Sequence, residues 1–159
     1  MNFFSIHLPN EDATDLFGRK LGSLLASGHL LAIMGEMGAG KTRLARAIGE
    51  GMGLHDAVTS PTYSIVQEYR GAVNLIHIDA YRLSVPEDVD SIGFEEYLKR
   101  HAVIVIEWAE RLAGRLPNDR LNLTMEAPDP SGVERRALME AGGECHAALL
   151  DDLKESLEQ

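Results

Sequence analysis

The sequence predicts an α/β domain of three layers, with a mixed, mostly parallel sheet at its centre. Three observations lead there. A short apolar run, His29-Leu30-Leu31-Ala32-Ile33-Met34, feeds a glycine-rich turn and then an amphipathic segment, the strand–loop–helix order of a parallel sheet. A second run, Ala102-Val103-Ile104-Val105-Ile106, is the most apolar and β-branched stretch of the chain, and it reads as a central strand buried on both faces. Two further pairs of short runs are joined by tight turns, which only antiparallel neighbours can share.

The elements follow in order. Residues 3–8 read as an edge strand. Asn10 suits a helix N-cap, and Glu11 and Asp12 suit its first turn. Leu16, Phe17, Leu21, Leu24 and Leu25 then form one apolar face, and Gly28 ends that helix. After strand 29–34, residues 42–52 carry a helical stripe of Leu44, Ala45, Ala47, Ile48 and Met52, with Gly51 and Gly53 as a stop. Residues 65–69 and 74–79 form a strand pair around Arg70-Gly71-Ala72. Residues 86–99 hold one or two short helices broken at Gly93. Residues 108–115 read as helical up to Pro117. Residues 121–126 and 136–140 pair around Asp129-Pro130-Ser131-Gly132, and 147–157 form a terminal helix. The organisation expected is one domain over 1–159, with 142–159 as a C-terminal helix or extension.

Composition narrows the function. The formal net charge of −10 over 159 residues, with scattered basic side chains, argues against direct capture of nucleic acid. The 45% hydrophobic share is ordinary for a soluble globular protein. Cys145 is the sole cysteine, so no internal disulfide forms. The first residues lack the basic start and apolar core of a signal peptide, and no apolar run approaches membrane-spanning length. The expectation is a cytoplasmic enzyme or switch, with no membrane partner.

The turn carries the chemistry. Gly35-Glu36-Met37-Gly38-Ala39-Gly40-Lys41-Thr42 fits G-x-x-x-x-G-K-[ST], the phosphate-binding P-loop, or Walker A motif. Its glycines let the backbone turn so that successive N–H groups face an anion, and the following helix N-terminus favours the same charge. Met37, Gly38, Ala39, Gly40, Lys41 and Thr42 are therefore the residues expected around a nucleotide's phosphates, the ATP-binding set once the resemblance given below supplies the base. Lys41 brings a mobile charge to the terminal phosphates, and Thr42 offers a hydroxyl to Mg²⁺. The fold expected is thus P-loop NTPase-like, with ligands at the carboxyl ends of the parallel strands.

A P-loop needs an acid at a strand end that holds or positions Mg²⁺. Two strands supply one: Leu75-Ile76-His77-Ile78-Asp79 and the run ending in Glu107. Either acid could instead cap its strand or pair with an arginine. His77 and Asp79 lie two apart and share a strand face; a catalytic couple is one reading, and with no serine or cysteine nucleophile evident nearby a satisfied polar pair beside the nucleotide is the stronger one. Trp108 follows Glu107 and suits stacking or partly buried packing. Ser60-Pro61-Thr62 lies one helix after the P-loop, where Thr62 would sit in a switch-like loop that senses phosphate or metal, or in an ordinary turn. The other histidines show no metal-ligand spacing.

Taken together, the P-loop, Ser60-Pro61-Thr62-Tyr63, His77-Ile78-Asp79-Ala80-Tyr81-Arg82-Leu83 and Val105-Ile106-Glu107-Trp108 resemble the TsaE (YjeE) family of bacterial ATPases. The match spans the family domain in order and spacing. The resemblance implies a role in making threonylcarbamoyladenosine in tRNA. It implies ATP binding and hydrolysis with Mg²⁺, weak alone and stimulated by partners. TsaD and TsaB are the implied partners, and tRNA is met only through their complex. It implies Lys41, Asp79 and Glu107 as catalytic, Thr42 and Glu107 as metal ligands, and Thr62 as the switch position. Asn10 and Arg136 are weaker implied ATP contacts, because Val133 stands where the family is often basic. The stretch from Gly142 matches no family pattern. Two other readings stay open on the residues alone. One is a small-molecule P-loop kinase with a lid drawn from Arg111, Arg115 and Arg120. The other is a nucleotide-dependent interaction module without turnover.

Overall fold

Apolar central strands covered by helices on both sides organise the chain. The computed structural model describes residues 2–59, 64–112 and 114–159. In chain order the strands are β1 (Phe3–Leu8), β2 (Leu30–Met34), β3 (Val66–Tyr69), β4 (Leu75–Asp79), β5 (Val103–Glu107), β6 (Leu121–Glu126) and β7 (Arg135–Ala141). The helices are α1 (Glu11–Leu24), α2 (Lys41–Gly51), α3 (Pro86–Ser91), α4 (Phe94–Leu98) and α5 (Glu144–Leu157). Short 3₁₀ turns cover Ala80–Arg82 and Ala109–Leu112.

Among the described residues these strands make one 7-stranded sheet in the order β1-β7-β6-β2-β5-β4-β3. The middle strands β6, β2, β5 and β4 are mutually parallel, while β7, β1 and β3 add antiparallel edges. The mixed, mostly parallel sheet expected from the sequence is therefore present. Leu31, Ile33, Val103, Val105, Leu121 and Leu123 face one core beneath α1, α2 and α5. Leu30, Ala32, Ile76, Ile78, Ile104 and Ile106 face a second core closed by Val89 of α3 and Phe94 of α4. Burial on both faces is why β2, β4 and β5 read as continuous apolar runs.

Helices α1 and α2 approach closely. A Cβ added at Gly22 would lie 2.1 Å from the Ile48 carbonyl oxygen, so only glycine permits that crossing. The contact seats α2, and with it the loop before α2, against the rest of the domain. Helix α5 shares the same core through Leu149, Leu150 and Leu153.

Three expectations change in detail. The described residues of 108–115 form no α-helix: Trp108 has φ of 57°, which α-helix cannot accept, and a 3₁₀ turn, Ala109–Leu112, follows it. Helix α5 begins at Glu144 rather than 147, because Asp119 reaches in from the segment before β6 and accepts the Cys145 and His146 amides. Helix α1 ends at Leu24, before the Gly28 stop. The stretch Ser60-Pro61-Thr62-Tyr63, with its switch-like Thr62, lies outside the described residues.

Candidate functional site

The carboxyl ends of β2, β4 and β5 meet at one edge of the sheet, and the loop 35–40 leaves β2 there. Parallel register places Asp79 directly beside Glu107. Helix α2 starts over the same edge with Gly40 as its N-cap, at φ of 98°, a conformation that favours glycine. Met37, Gly38, Gly40, Lys41, Thr42, Asp79, Glu107 and Trp108 line a cavity of about 380 Å³. Ala39 is buried and lines a neighbouring hollow. The sequence-predicted loop and both candidate acids thus converge on one place.

Lys41 is 4% exposed, which is rare for a lysine. Its Nζ donates to the Gly35 and Glu36 carbonyls at 2.6 and 2.7 Å, and it sits 4.1 Å from the centre of the Trp108 ring. Burial pushes the Lys41 pKa down from its usual value, and Glu107, Glu110, Asp79 and Glu36 oppose that shift. A buried cation held by carbonyls and an aromatic face gains from an anion entering the cavity. The ring is itself set by Tyr81, whose centroid lies 5.0 Å away. Trp108 is the only described non-glycine residue with positive φ, a strained geometry of the kind found at ligand sites.

Glu107 is 2% exposed and uses both oxygens. Oε1 accepts from the Thr42 hydroxyl at 2.8 Å, and Oε2 meets His77 Nε2 at 2.6 Å. His77 is fully buried, and its Nδ1 has no hydrogen-bond partner among the described residues. The expected His77–Asp79 pairing gives way to this cross-strand contact, because the β4–β5 register sets Glu107 diagonally from His77 on the same face. Asp79 accepts the Tyr81 amide at 3.1 Å and has further contacts. A hydroxyl and two carboxylates are hard oxygen donors of the kind Mg²⁺ takes, so Thr42, Glu107 and Asp79 fit that ion chemically.

Arg43, next to Thr42, is fixed from α1. Its Nε and Nη2 donate to Asp15 at 2.9 and 2.8 Å, and Nη1 lies 2.8 Å from Glu11. Its hydrogen bonds to Asp15 raise its pKa. Asn10 caps α1 by accepting the Ala13 amide at 2.8 Å. Arg136 is exposed on β7 and lies 3.7 Å from Glu126. Of the arginines in the kinase reading, Arg115 donates to Asp90 at 2.6 Å and Arg120 donates to Asn122 and the Pro117 carbonyl, whereas Arg111 stays beside the site, its guanidinium carbon 5.5 Å from the Tyr81 ring centre and 6.0 Å from that of Trp108.

The family model for threonylcarbamoyl adenosine biosynthesis protein TsaE matches residues 8–137. The chain belongs to the TsaE family. A TsaE relative from Streptomyces coelicolor, named as a tRNA threonylcarbamoyladenosine biosynthesis protein, is 42% identical over 113 residues, covering 69% of this chain and 76% of that one. The TsaE protein of Bacillus subtilis is 30% identical over 145 residues, covering 91% and 89%. The crystal structure of Bacillus subtilis YdiB superposes with a TM-score of 0.80 at 27% identity, covering 97% of this chain and 95% of that one. TsaE membership and the P-loop fold thus agree with what the sequence implied. Among the described residues no helix is long and apolar enough to cross a membrane.

Proposed function

We propose that this TsaE protein binds Mg·ATP at the 35–42 loop and hydrolyses it in support of TsaD and TsaB during threonylcarbamoyladenosine modification of tRNA. The observation that carries this reading is the convergence of Lys41, Thr42 and Glu107 on one cavity at the carboxyl edge of the parallel strands. The amides of Gly38, Ala39, Gly40, Lys41 and Thr42 cradle the phosphates, the Ala39 amide giving up the Glu36 carbonyl it meets at 3.0 Å. Lys41 leaves its two carbonyl partners and neutralises the terminal phosphate. Mg²⁺, when bound, supplies charge neutralisation on the phosphates. Thr42 and Glu107 would hold it, in place of the hydrogen bond they now share. Asp79 orients the attacking water or the metal. With a net charge of −10, the protein meets tRNA only through its partners.

The test is phosphate release from Mg·ATP by the purified chain, alone and with TsaD–TsaB. Feeble release alone and stimulation by the pair is the expected result. Binding without release under either condition would favour a nucleotide-dependent interaction module. Transfer of the γ-phosphate to a metabolite would favour a kinase.

A further inference from the structure

Arg135, the first residue of β7, spends its whole guanidinium on backbone carbonyls. Nε donates to Ala39 O at 3.0 Å and Nη2 to Gly38 O at 3.1 Å. Nη1 donates to Gly132 O and Glu134 O at 2.8 and 2.7 Å. Two of these acceptors belong to the phosphate loop and two to the segment leading into β7. The side chain also lies against the loop's last glycine: Nε would be 3.8 Å from a Cβ built on Gly40.

A glycine-rich loop rotates its peptide planes easily, which works against holding amides ready for an anion. Arg135 opposes that freedom. In a trans peptide the C=O and the next residue's N–H point in opposite directions. Holding Gly38 O and Ala39 O toward β7 therefore turns the Ala39 and Gly40 amides away from it; the Ala39 amide closes the loop on the Glu36 carbonyl at 3.0 Å, and the Gly40 amide is the one turned toward an incoming anion. The other end of the brace is also set. The Ser131 amide and hydroxyl donate to Asp129 Oδ1 at 3.0 and 2.8 Å, and the Gly132 amide donates to Asp129 O at 2.9 Å.

We propose that Arg135 is a positioning residue for nucleotide binding, bracing the phosphate loop from β7 so that its amides stay in register with the phosphate chain. The proposal rests on the reading that loop 35–42 binds ATP.

The test compares the full-length chain with Arg135→Ala, Arg135→Lys and Arg100→Ala. Arg100 pairs with Glu68 on β3 and lies just before β5, at the end of the sheet away from the loop. Calorimetric titration with Mg·ATP and steady-state phosphate release are read together with the thermal midpoint of each free protein. Arg135→Ala is expected to raise both the ATP dissociation constant and KM about tenfold while kcat stays within about twofold, because ground and transition states lose the same loop order. Arg135→Lys should fall between, since an ammonium cannot span two carbonyls as a planar fork does. Arg100→Ala should bind as the unaltered chain does. A role confined to folding would lower the thermal midpoint and the active fraction, and leave the dissociation constant alone. Unchanged ATP affinity in folded Arg135→Ala overturns the proposal, as does a fall in kcat at constant KM. If the alanine variant fails to fold, Arg135→Lys with unaltered affinity overturns it equally. No uptake of ATP by the unaltered chain removes the underlying reading, and the brace with it.

Discussion

Two buried histidines stand at opposite ends of the same sheet, each beside a carboxylate, and they do opposite things. His146 on α5 is 1% exposed and fully satisfied: Nε2 accepts the Leu30 amide at 2.9 Å, which places its proton on Nδ1, 2.8 Å from Asp119. Asp119 in turn caps α5, and His29 packs edge-on against the His146 ring at 5.2 Å. Cys145 completes a cluster with metal-ligand spacing, but both His146 nitrogens already have partners, so the group reads as a cap joining α5 to the start of β2. His77 at the other end leaves Nδ1 unpartnered among the described residues and holds a glutamate that faces a cavity beside a buried lysine. Satisfied polar groups stabilise a fold, whereas incompletely satisfied ones mark where a ligand completes the structure.

The comparison can be broken at either end, and the phosphate end should give the largest effects. Glu107→Ala should lower Mg²⁺-dependent turnover by roughly two to three orders of magnitude while ATP still binds in the presence of a chelator, because the lost acid acts through the metal. Unaltered turnover would remove Glu107 from the site and promote Asp79. Lys41→Ala should weaken ATP binding by about a hundredfold, the scale of one or two charge-assisted hydrogen bonds, and lower turnover with it. Titration calorimetry of that variant checks the binding half directly.

The two histidines then separate by readout. His146→Ala strands the Leu30 amide and removes a partner of Asp119, so denaturant unfolding should show a loss of roughly 2–3 kcal/mol with ATP affinity intact. His77→Ala should instead raise the Mg²⁺ concentration needed for half-maximal turnover about tenfold, as expected when the group orienting a metal ligand is lost. The same Mg²⁺ dependence in both variants would erase the distinction.

The smallest effect is one of pH. Burial raises the Asp119 pKa, but the hydrogen bonds from His146 and from the Cys145 and His146 amides outweigh it and hold the group below 3.8. A depressed carboxylate contributes stability that is fully present above the unfolded pKa and is lost as pH falls through the folded one. Denaturant midpoints should therefore fall more steeply below about pH 3.8 in the unaltered chain than in Asp119→Asn. Parallel slopes would show that the cap carries no such linkage.

Much of this was legible in the residues, and the limits have physical causes. The P-loop, the two acids at strand ends and the hairpin at Arg70-Gly71-Ala72 depend on local spacing, which a sequence displays. His77 was visible, but its partner depends on the β4–β5 register between residues 30 apart in sequence, which no local pattern encodes. The start of α5 was missed for a similar reason, since its cap comes from Asp119, 26 residues from Cys145. The resemblance points to Arg136, and nothing local in the sequence separates it from its neighbour Arg135. Alternation along β7 then leaves Arg136 exposed beside Glu126 and turns Arg135 onto the loop. Trp108 was noted beside Glu107, while the reversed backbone that lays its ring over Lys41 left no sequence signal.

The central claim is that loop 35–42 closes on a triphosphate through its amides and Lys41. Titrating Mg·ATP into the full-length chain and into Lys41→Ala in a calorimeter tests it most directly. One saturable site in the unaltered protein, lost or greatly weakened in the variant, is the expected outcome. Equal uptake by both proteins, or no heat from either, would contradict the account.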